Sequence, residues 1–317
     1  MVAGNLEVGP STGGITMFRL AATVGIIFGA FAFVTGAGRS AEAGSPPDFA
    51  PNPSVGWAAT PGPFIPPPSG PGPVPALDDR HASPNSGLFE RGAQPTFEMG
   101  DPDAPILQQW AKEQIRARND AIQAGKPGFT RQASCWPNGT PAFLLYPQQP
   151  VFFVQAPKVV VMIWQGDHQV RHVYLNTQHS KNPKPSWYGE SVGHYEGDTL
   201  VVDTIGISEK TLVDNFATPH TAKLHTIERY RMSEDRLRLE VKLHVEDPGA
   251  FTTPWDAMQR YRRVEPRIAE PQKASGDFLS ALGDAGPMLE SSCGENPHGL
   301  FDAPGTLPIP QENTPDF

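Results

Sequence analysis

The spacing of apolar residues changes along the chain and predicts one helix followed by a β-rich region. Ile106, Leu107 and Trp110 recur at helical spacing, and Gly125-Lys-Pro127 has the glycine and proline that commonly end a helix. We therefore predict an amphipathic helix over residues 105–124, with its apolar stripe docked on the segment that follows.

Beyond this helix the apolar residues recur with a period of two, which is typical of strands with one buried face. The segment Arg236–Glu246 is the clearest case, because Leu239, Val241, Leu243 and Val245 alternate with polar residues. The predicted strands are Val151–Gln155, Val159–Gln165, Gln169–Asn176, Ser191–Tyr195, Thr199–Ile205, Lys223–Met232, Arg236–Glu246 and Ala257–Val264.

Eight short strands without helices between them exclude a parallel α/β sheet. We predict a mainly β fold, an antiparallel meander that forms a lipocalin-like barrel or half-barrel with one N-terminal helix. The interior of a barrel of about eight strands can hold one small ligand. The longer segments 176–187 and 207–222 would then be loops at its mouth.

The first residues have the features of an export signal. Met17-Phe-Arg19 precedes an apolar run over 20–34, and Ala41-Glu-Ala43 matches a signal-peptidase site. We predict a signal peptide over residues 1–43, with Met17 as an alternative start, and a periplasmic or secreted protein. The alternative is an uncleaved segment that anchors the chain in the membrane.

The composition of the next segment predicts a disordered tether over residues 44–104. Twelve of the thirty residues from Pro46 to Pro75 are proline, which favours an extended spacer over a packed core, although such a segment could also dock a partner. The folded domain is then predicted over 105–296, and residues 297–317 as a disordered tail.

Two cysteines, Cys135 and Cys293, are an even pair in a chain predicted to be exported, so we expect a disulfide; two unrelated thiols are the alternative. They have no C-x-x-C spacing, which argues against a redox or zinc role. The net charge is −9 and no basic run is present, which argues against nucleic acid as a partner.

The stretch from Trp110 to Asn296 resembles a family of uncharacterised exported bacterial proteins. The resemblance depends most on the segment 189–204, which reads Gly-Glu-Ser-Val-Gly-His-Tyr-Glu-Gly-Asp-Thr-Leu-Val-Val-Asp-Thr, and on the motifs around Cys135, His220 and Cys293. It implies export and a β-rich domain, and it implies no catalytic residue. The same segment predicts a hairpin with a tight turn at Glu196-Gly-Asp198.

Asp203 is the first candidate for chemistry, because it lies among β-branched residues on a predicted central strand. A desolvated carboxylate there could act as an acid or base together with His225 or His220. The alternative is a solvated strand acid. We expect no metal, because a spacing of i, i+5 between the two histidines is poor for shared ligation.

Five further residues are candidates for ligand binding. Arg171 could anchor a carboxylate inside the barrel or could simply pair with Glu228. Aromatic side chains near the predicted loops could form a rim for a flat ligand or could be part of the core. The candidates are Arg171, Tyr174, Trp187, Glu228 and Trp255.

These patterns leave three hypotheses and call for no cofactor. The first is a barrel that binds a small apolar or aromatic molecule. The second is an enzyme of the proton-transfer type, such as an isomerase, cyclase, hydratase or lyase, that uses Asp203 and a histidine on a small-molecule substrate. The third is a structural envelope protein.

Overall fold

The computed structural model describes residues 46–52, 54–79, 81, 98–124, 136–145, 150–165 and 169–264. They form a closed barrel of nine strands with one α-helix beside it. The strands are β1 (Gly56–Ala59), β2 (Val151–Ala156), β3 (Val159–Trp164), β4 (Val170–Leu175), β5 (Glu190–Glu196), β6 (Thr199–Ile205), β7 (His225–Met232), β8 (Arg238–Glu246) and β9 (Trp255–Val264). The helix α1 spans Gln109–Gln123.

The mainly β class, the closed barrel and the single helix confirm the coarse prediction from the sequence. All eight predicted strands are present, with ends that shift by a few residues. In β8 the predicted alternation holds, since Leu239, Val241, Leu243 and Val245 are all buried. Leu237 lies before the strand and is 56% exposed, so the alternation begins later than the sequence suggested.

The ninth strand, β1, lies inside the proline-rich segment, so the prediction of a disordered tether was wrong for these residues. β1 is hydrogen-bonded to both β2 and β9 and thereby closes the barrel. Trp57 points into the core and is 1% exposed, and its indole Nε1 donates to the carbonyl of Phe49. Four residues between prolines are too short to show a strand period, which is why the composition was misleading.

The strand order is a meander with one exception, because β4 and β5 are parallel. A parallel pair needs a long connection that returns to the starting end of the strand, and residues 176–189 provide it. The purely antiparallel meander predicted from the sequence was therefore wrong at this point. The returning segment runs on to the start of β5 and carries His179.

The interior of the barrel is filled by large side chains. Trp57, Tyr230 and Trp255 are at most 2% exposed, and Phe153 packs on Tyr230 with ring centroids 6.0 Å apart. Such packing leaves the outward-facing residues of each strand as the ones that meet solvent.

The residues just before α1 are joined to the segment before β9 by an isolated bridge between Leu107 and Phe251, and Ala111 and Ile115 of the helix belong to the hydrophobic core. Ile115, which was not among the residues of the predicted stripe, is buried, whereas Trp110, which was, is 37% exposed and its Nε1 donates to the carbonyl of Gly249. Within the described residues, no helix is both long and apolar enough to cross a membrane. The predicted signal peptide, both cysteines and the predicted tail lie outside the described residues.

Candidate functional site

Asp203 lies on the outer face of β6, and not in the barrel interior that would have desolvated it. Its side chain is 40% exposed, whereas its neighbours Val202 and Thr204 point inward and are fully buried. Its carboxylate Oδ1 lies 2.9 Å from Nε2 of His225 on β7. The structure thus joins the acid and one of the two histidines that the sequence offered.

A second imidazole reaches the same carboxylate oxygen. Nε2 of His179 lies 3.0 Å from Oδ1 of Asp203. His179 belongs to the connection 176–189, whose crossing back along the barrel brings it over the outer face. Sequence analysis missed this residue because a loop has no periodicity; only the unusual length of the connection hinted at a parallel crossing.

The Nδ1 atom of each imidazole lies close to a further carboxylate. Nδ1 of His179 lies 3.1 Å from Oε1 of Glu190, and Nδ1 of His225 lies 3.5 Å from Oε2 of Glu246. Hydrogen bonds from Ser180 and His179 hold the pKa of Glu190 below its usual range. Each histidine therefore has a carboxylate at both ring nitrogens, which fixes its orientation.

The alternation of acids and imidazoles continues across β8 to β9. Oε1 of Glu246 lies 3.0 Å from Nε2 of His244, whose Nδ1 lies 2.7 Å from Oδ1 of Asp256. We call this set the outer polar chain; its members in order are Glu190, His179, Asp203, His225, Glu246, His244 and Asp256. Partial burial opposes protonation of His244, but its bonds to Asp256 and Glu246 prevail and raise its pKa.

Two grooves lie on this outer face. A groove of about 310 Å³ contains Asp203 and is lined by Val192, Val201, Ile227 and Arg229 among others. A larger one of about 650 Å³ contains His244 and lies between the strands β7–β9 and the prolines 66–68. Ile227 and Arg229 line both, so the two grooves are neighbours. The volume of the larger groove, about 650 Å³, lies within the range of small-molecule sites.

Inside the barrel a second polar cluster surrounds Arg171. The guanidinium donates to Glu228 at 2.8 Å, to Thr204 at 2.8 Å and to Ser191 at 3.1 Å. Glu228 is fully buried and also accepts the hydroxyl of Tyr230. We call these residues the interior cluster. Arg171 and Glu228, both proposed as ligand-binding residues, therefore bind each other in the core.

Electrostatics agree with a closed interior. Burial and the negative charge of Glu228 raise the pKa of Tyr230 well above its usual value. Glu228 Oε1 and Thr226 Oγ1 are buried and have no protein partner among the described residues. Two such atoms on one strand face are a typical place for an ordered water.

The other predicted site residues do not converge on Asp203. His220 is 4% exposed, and its Nε2 lies 2.7 Å from the hydroxyl of Thr211. Trp255 is buried in the core against Phe251, and Trp187 packs on Trp136. Tyr174 lies on the outer face of β4 and is 52% exposed. The structure therefore does not bring these side chains together with Asp203.

The segment Gly189-Glu-Ser-Val-Gly193 matches the G-x-S-x-G pattern of hydrolase nucleophiles, yet its geometry is different. Ser191 lies on β5, is 1% exposed and is hydrogen-bonded to Thr204 and Arg171. A nucleophile elbow instead presents its serine on a sharp turn between strand and helix. Ser191 is therefore a structural hydroxyl.

The acidic turn at residues 196–198, within the segment 189–204 described above, has a structural role. Glu196 is the last residue of β5 and Asp198 belongs to the two-residue turn Gly197-Asp198, in which Gly197 has φ +59°, as the predicted hairpin requires. Their carboxylates accept hydrogen bonds from Arg229 at 2.6 Å and Arg231 at 2.9 Å on β7. These are exposed cross-strand ion pairs.

A separate buried acid lies near α1. Burial and the neighbouring Asp214 raise the pKa of Glu98 to about 7, although Arg118 opposes the shift. The Arg118 guanidinium also donates to the carbonyl of Glu98 at 3.0 Å. This cluster joins α1 to the segment before β7 and shares no residue with the outer polar chain.

The described residues contain no group of three or more histidine, cysteine, aspartate or glutamate side chains arranged to hold a metal ion. Comparison with known proteins gives no significant match: no family model, no curated protein and no solved structure is similar to the chain. The resemblance to an exported family therefore stays a prediction, and the geometry of the outer face has to carry any functional argument.

Proposed function

We propose that the protein is an enzyme that transfers protons on a small molecule held at the outer face of β5, β6 and β7. One observation carries the proposal: the Asp203 carboxylate lies at the edge of the 310 Å³ groove and is bonded by two imidazoles through the same oxygen. A carboxylate held rigidly beside a groove is the arrangement that general acid–base catalysis needs.

The two oxygens of Asp203 are not equivalent. Oδ1 takes both histidine contacts, and the described residues give Oδ2 no hydrogen-bond partner. Oδ2 would accept a proton from one substrate atom and return it to another, while His225 and His179 hold the carboxylate in place through Oδ1. Arg229 lines the same groove and would stabilise the negative charge that develops when the proton leaves.

Isomerisation, cyclisation, hydration and elimination all fit this chemistry, because each needs a proton acceptor and a donor on one small molecule. The groove has an apolar floor of Val192, Val201 and Ile227, which suits a substrate with a hydrocarbon body. The predicted export signal places this activity outside the cytoplasm, and that compartment remains part of the proposal.

The direct test follows protons and does not require the natural substrate. A panel of small carbonyl compounds and organic acids is incubated with the protein in D₂O, and NMR measures deuterium incorporation. For any compound that exchanges, Asp203→Asn should lower the rate by about 10²–10⁴-fold, the usual size of a lost acid–base contribution. Asp198→Asn removes an exposed carboxylate paired with Arg231 and serves as the matched control.

The second candidate is a small-molecule-binding protein without chemistry, favoured by the 650 Å³ groove. The same experiment separates the two functions. Compounds that bind without any exchange, or exchange that survives in Asp203→Asn, would overturn the enzyme proposal.

A further inference from the structure

The larger groove has a wall that is fixed in place before any ligand arrives. Prolines 66–68 belong to a strap that crosses the outer face of β9, and hydrogen bonds hold this strap at both ends. Ile65 and Met258 exchange two backbone hydrogen bonds of 2.9 Å, and the amide of Asp256 donates to the carbonyl of Pro71 at 3.2 Å. Three consecutive prolines between these bonds have few accessible conformations, so the wall is rigid.

The floor and the wall of this groove are apolar. Ile227 and Met258 lie on the outer face of β7 and β9, opposite the prolines. Because the proline wall is already rigid, a ligand that binds against it does not have to order any side chain or loop there, and little conformational entropy is lost. These surfaces therefore suit the hydrocarbon part of a small ligand.

Most of the charged residues of the larger groove have a partner of opposite charge, but within the described part of the chain Lys242 does not. Asp256 is bonded to His244 at 2.7 Å, and Glu240 lies 3.7 Å from Nε of Arg260. Lys242 also lines the groove, and among the described residues no carboxylate forms an ion pair with it.

Among the described residues, the strand register places the unpaired Lys242 beside a second positive charge. Lys242 on β8 is directly opposite Arg229 on β7 and opposite Met258 on β9. Two like charges directly opposite on adjacent strands destabilise a sheet unless an anion lies between them. Arg229 uses its NH1 for Glu196, which relieves only part of this repulsion.

The two cations Arg229 and Lys242 are the part of the groove that suits an anion. They contribute two positive charges, Glu240 and Asp256 contribute two negative charges, and the sum rises to +1 when His244 is protonated. The whole chain carries −9. A groove that is neutral or positive on an acidic protein repels anions less than the surrounding surface does.

We infer that the 650 Å³ groove binds a small organic monoanion, a carboxylate with an aromatic or branched aliphatic body. The carboxylate lies between Lys242 and Arg229, and the body lies against the proline wall, Ile227 and Met258. This site adjoins the groove of Asp203 and shares Ile227 and Arg229 with it, but Asp203 does not line it, and it does not require that the protein be an enzyme.

The test uses 4-fluorobenzoate as the probe and follows its ¹⁹F NMR signal as protein is added. The uncharged analogue 4-fluorobenzamide has nearly the same shape, so a preference for the benzoate measures recognition of charge. Lys242→Gln should weaken benzoate binding by about five- to tenfold, as expected for one ion pair at a partly desolvated position, and should leave the benzamide unchanged. Lys158→Gln in the β2–β3 turn is the matched control, because Lys158 is also exposed and lies outside this groove.

A second variant tests the apolar part without changing charge. Met258→Ala should weaken both probes, because Met258 contacts the ligand body whatever its charge. Equal affinity for benzoate and benzamide, or unchanged benzoate affinity in Lys242→Gln, would overturn the inference. Asp203→Asn should bind benzoate as the unmodified protein does, so failure of the catalytic proposal and failure of this one give different results.

Discussion

The interior cluster and the outer polar chain are built on the same strands and differ mainly in access to solvent. Thr204 and Asp203 are neighbours on β6, yet one bonds Arg171 inside the barrel and the other bonds two histidines outside. On β7, Glu228 points inward and Arg229 outward. Adjacent residues thus serve two networks because the side chains of a strand alternate.

Access decides what each network can do. Arg171 and Glu228 are at most 2% exposed and bind each other, so a solute cannot reach them without opening the barrel. In the outer polar chain the side chains are 20–62% exposed, and grooves adjoin it. The buried ion pair of the interior cluster is therefore part of the fold, whereas the outer polar chain is available for binding and chemistry.

The largest effect should come from breaking the apolar part of the interior. Leu243→Asp places an unpaired carboxylate at a position that is 2% exposed, and we expect the domain to unfold, because burying an unpaired charge costs several kcal/mol. Circular dichroism and thermal melting would show the loss. His244→Asn is the neighbouring control on the outer face and should lower stability by no more than about 1 kcal/mol. Equal melting temperatures would contradict the assignment of the two faces.

The next effect concerns the buried ion pair itself. Glu228→Ala leaves the Arg171 guanidinium buried without its acid and should lower the free energy of unfolding by about 3–5 kcal/mol. Urea denaturation measures this difference. Glu240→Ala removes an exposed acid on β8 and should cost less than about 1 kcal/mol.

Replacing both charges sharpens the comparison between the two networks. The double variant Arg171→Met with Glu228→Leu removes the charges together, so it should recover much of the stability lost in Glu228→Ala. If the interior cluster is purely structural, this double variant should also keep any proton exchange that depends on Asp203. Loss of exchange in a stable double variant would mean that the interior contributes to function.

The sequence predicted the fold well wherever a strand has a long regular period. β8 shows why, since its alternation of buried and exposed residues extends over most of nine residues. β1 could not be predicted, because four residues among prolines carry too few positions to define a period, and only its contacts with β2 and β9 make it a strand. The parallel pairing of β4 and β5 depends on the path of a loop, which local pattern does not determine.

The candidate site was predicted in part for the same reason. Asp203 and His225 lie on neighbouring strands, and their contact follows from the register of β6 and β7, in which Asp203 is opposite Ile227. The sequence could not say which face of the barrel they occupy, because Val201 and Val202 are both apolar and both buried. His179 arrives from a loop, and Glu246 and Asp256 come from strands distant in sequence, so no local signal connected them to Asp203.

The smallest predicted change in stability concerns His244, near the Asp256 end of the outer polar chain. Hydrogen bonds from His244 to Asp256 and Glu246 raise its pKa above the usual 6.5 in the folded protein. Folding therefore strengthens proton binding at His244. The stabilisation is fully present below pH of about 6.5 and disappears as the pH rises through the raised pKa of the folded state.

Asp256→Asn removes one of these two acids and should lower the pKa of His244, which NMR titration of its Hε1 proton measures directly. The change in stability should be only a few tenths of a kcal/mol, because the side chain is 34% exposed and solvent screens the interaction. It should appear below pH 6.5 and vanish at a pH well above the raised pKa of the folded state, where the imidazole is neutral in both states. Asp198→Asn, whose carboxylate pairs with Arg231, should leave this titration unchanged. An unaltered His244 pKa in Asp256→Asn would show that Asp256, the last member of the outer polar chain, does not act on His244 in solution.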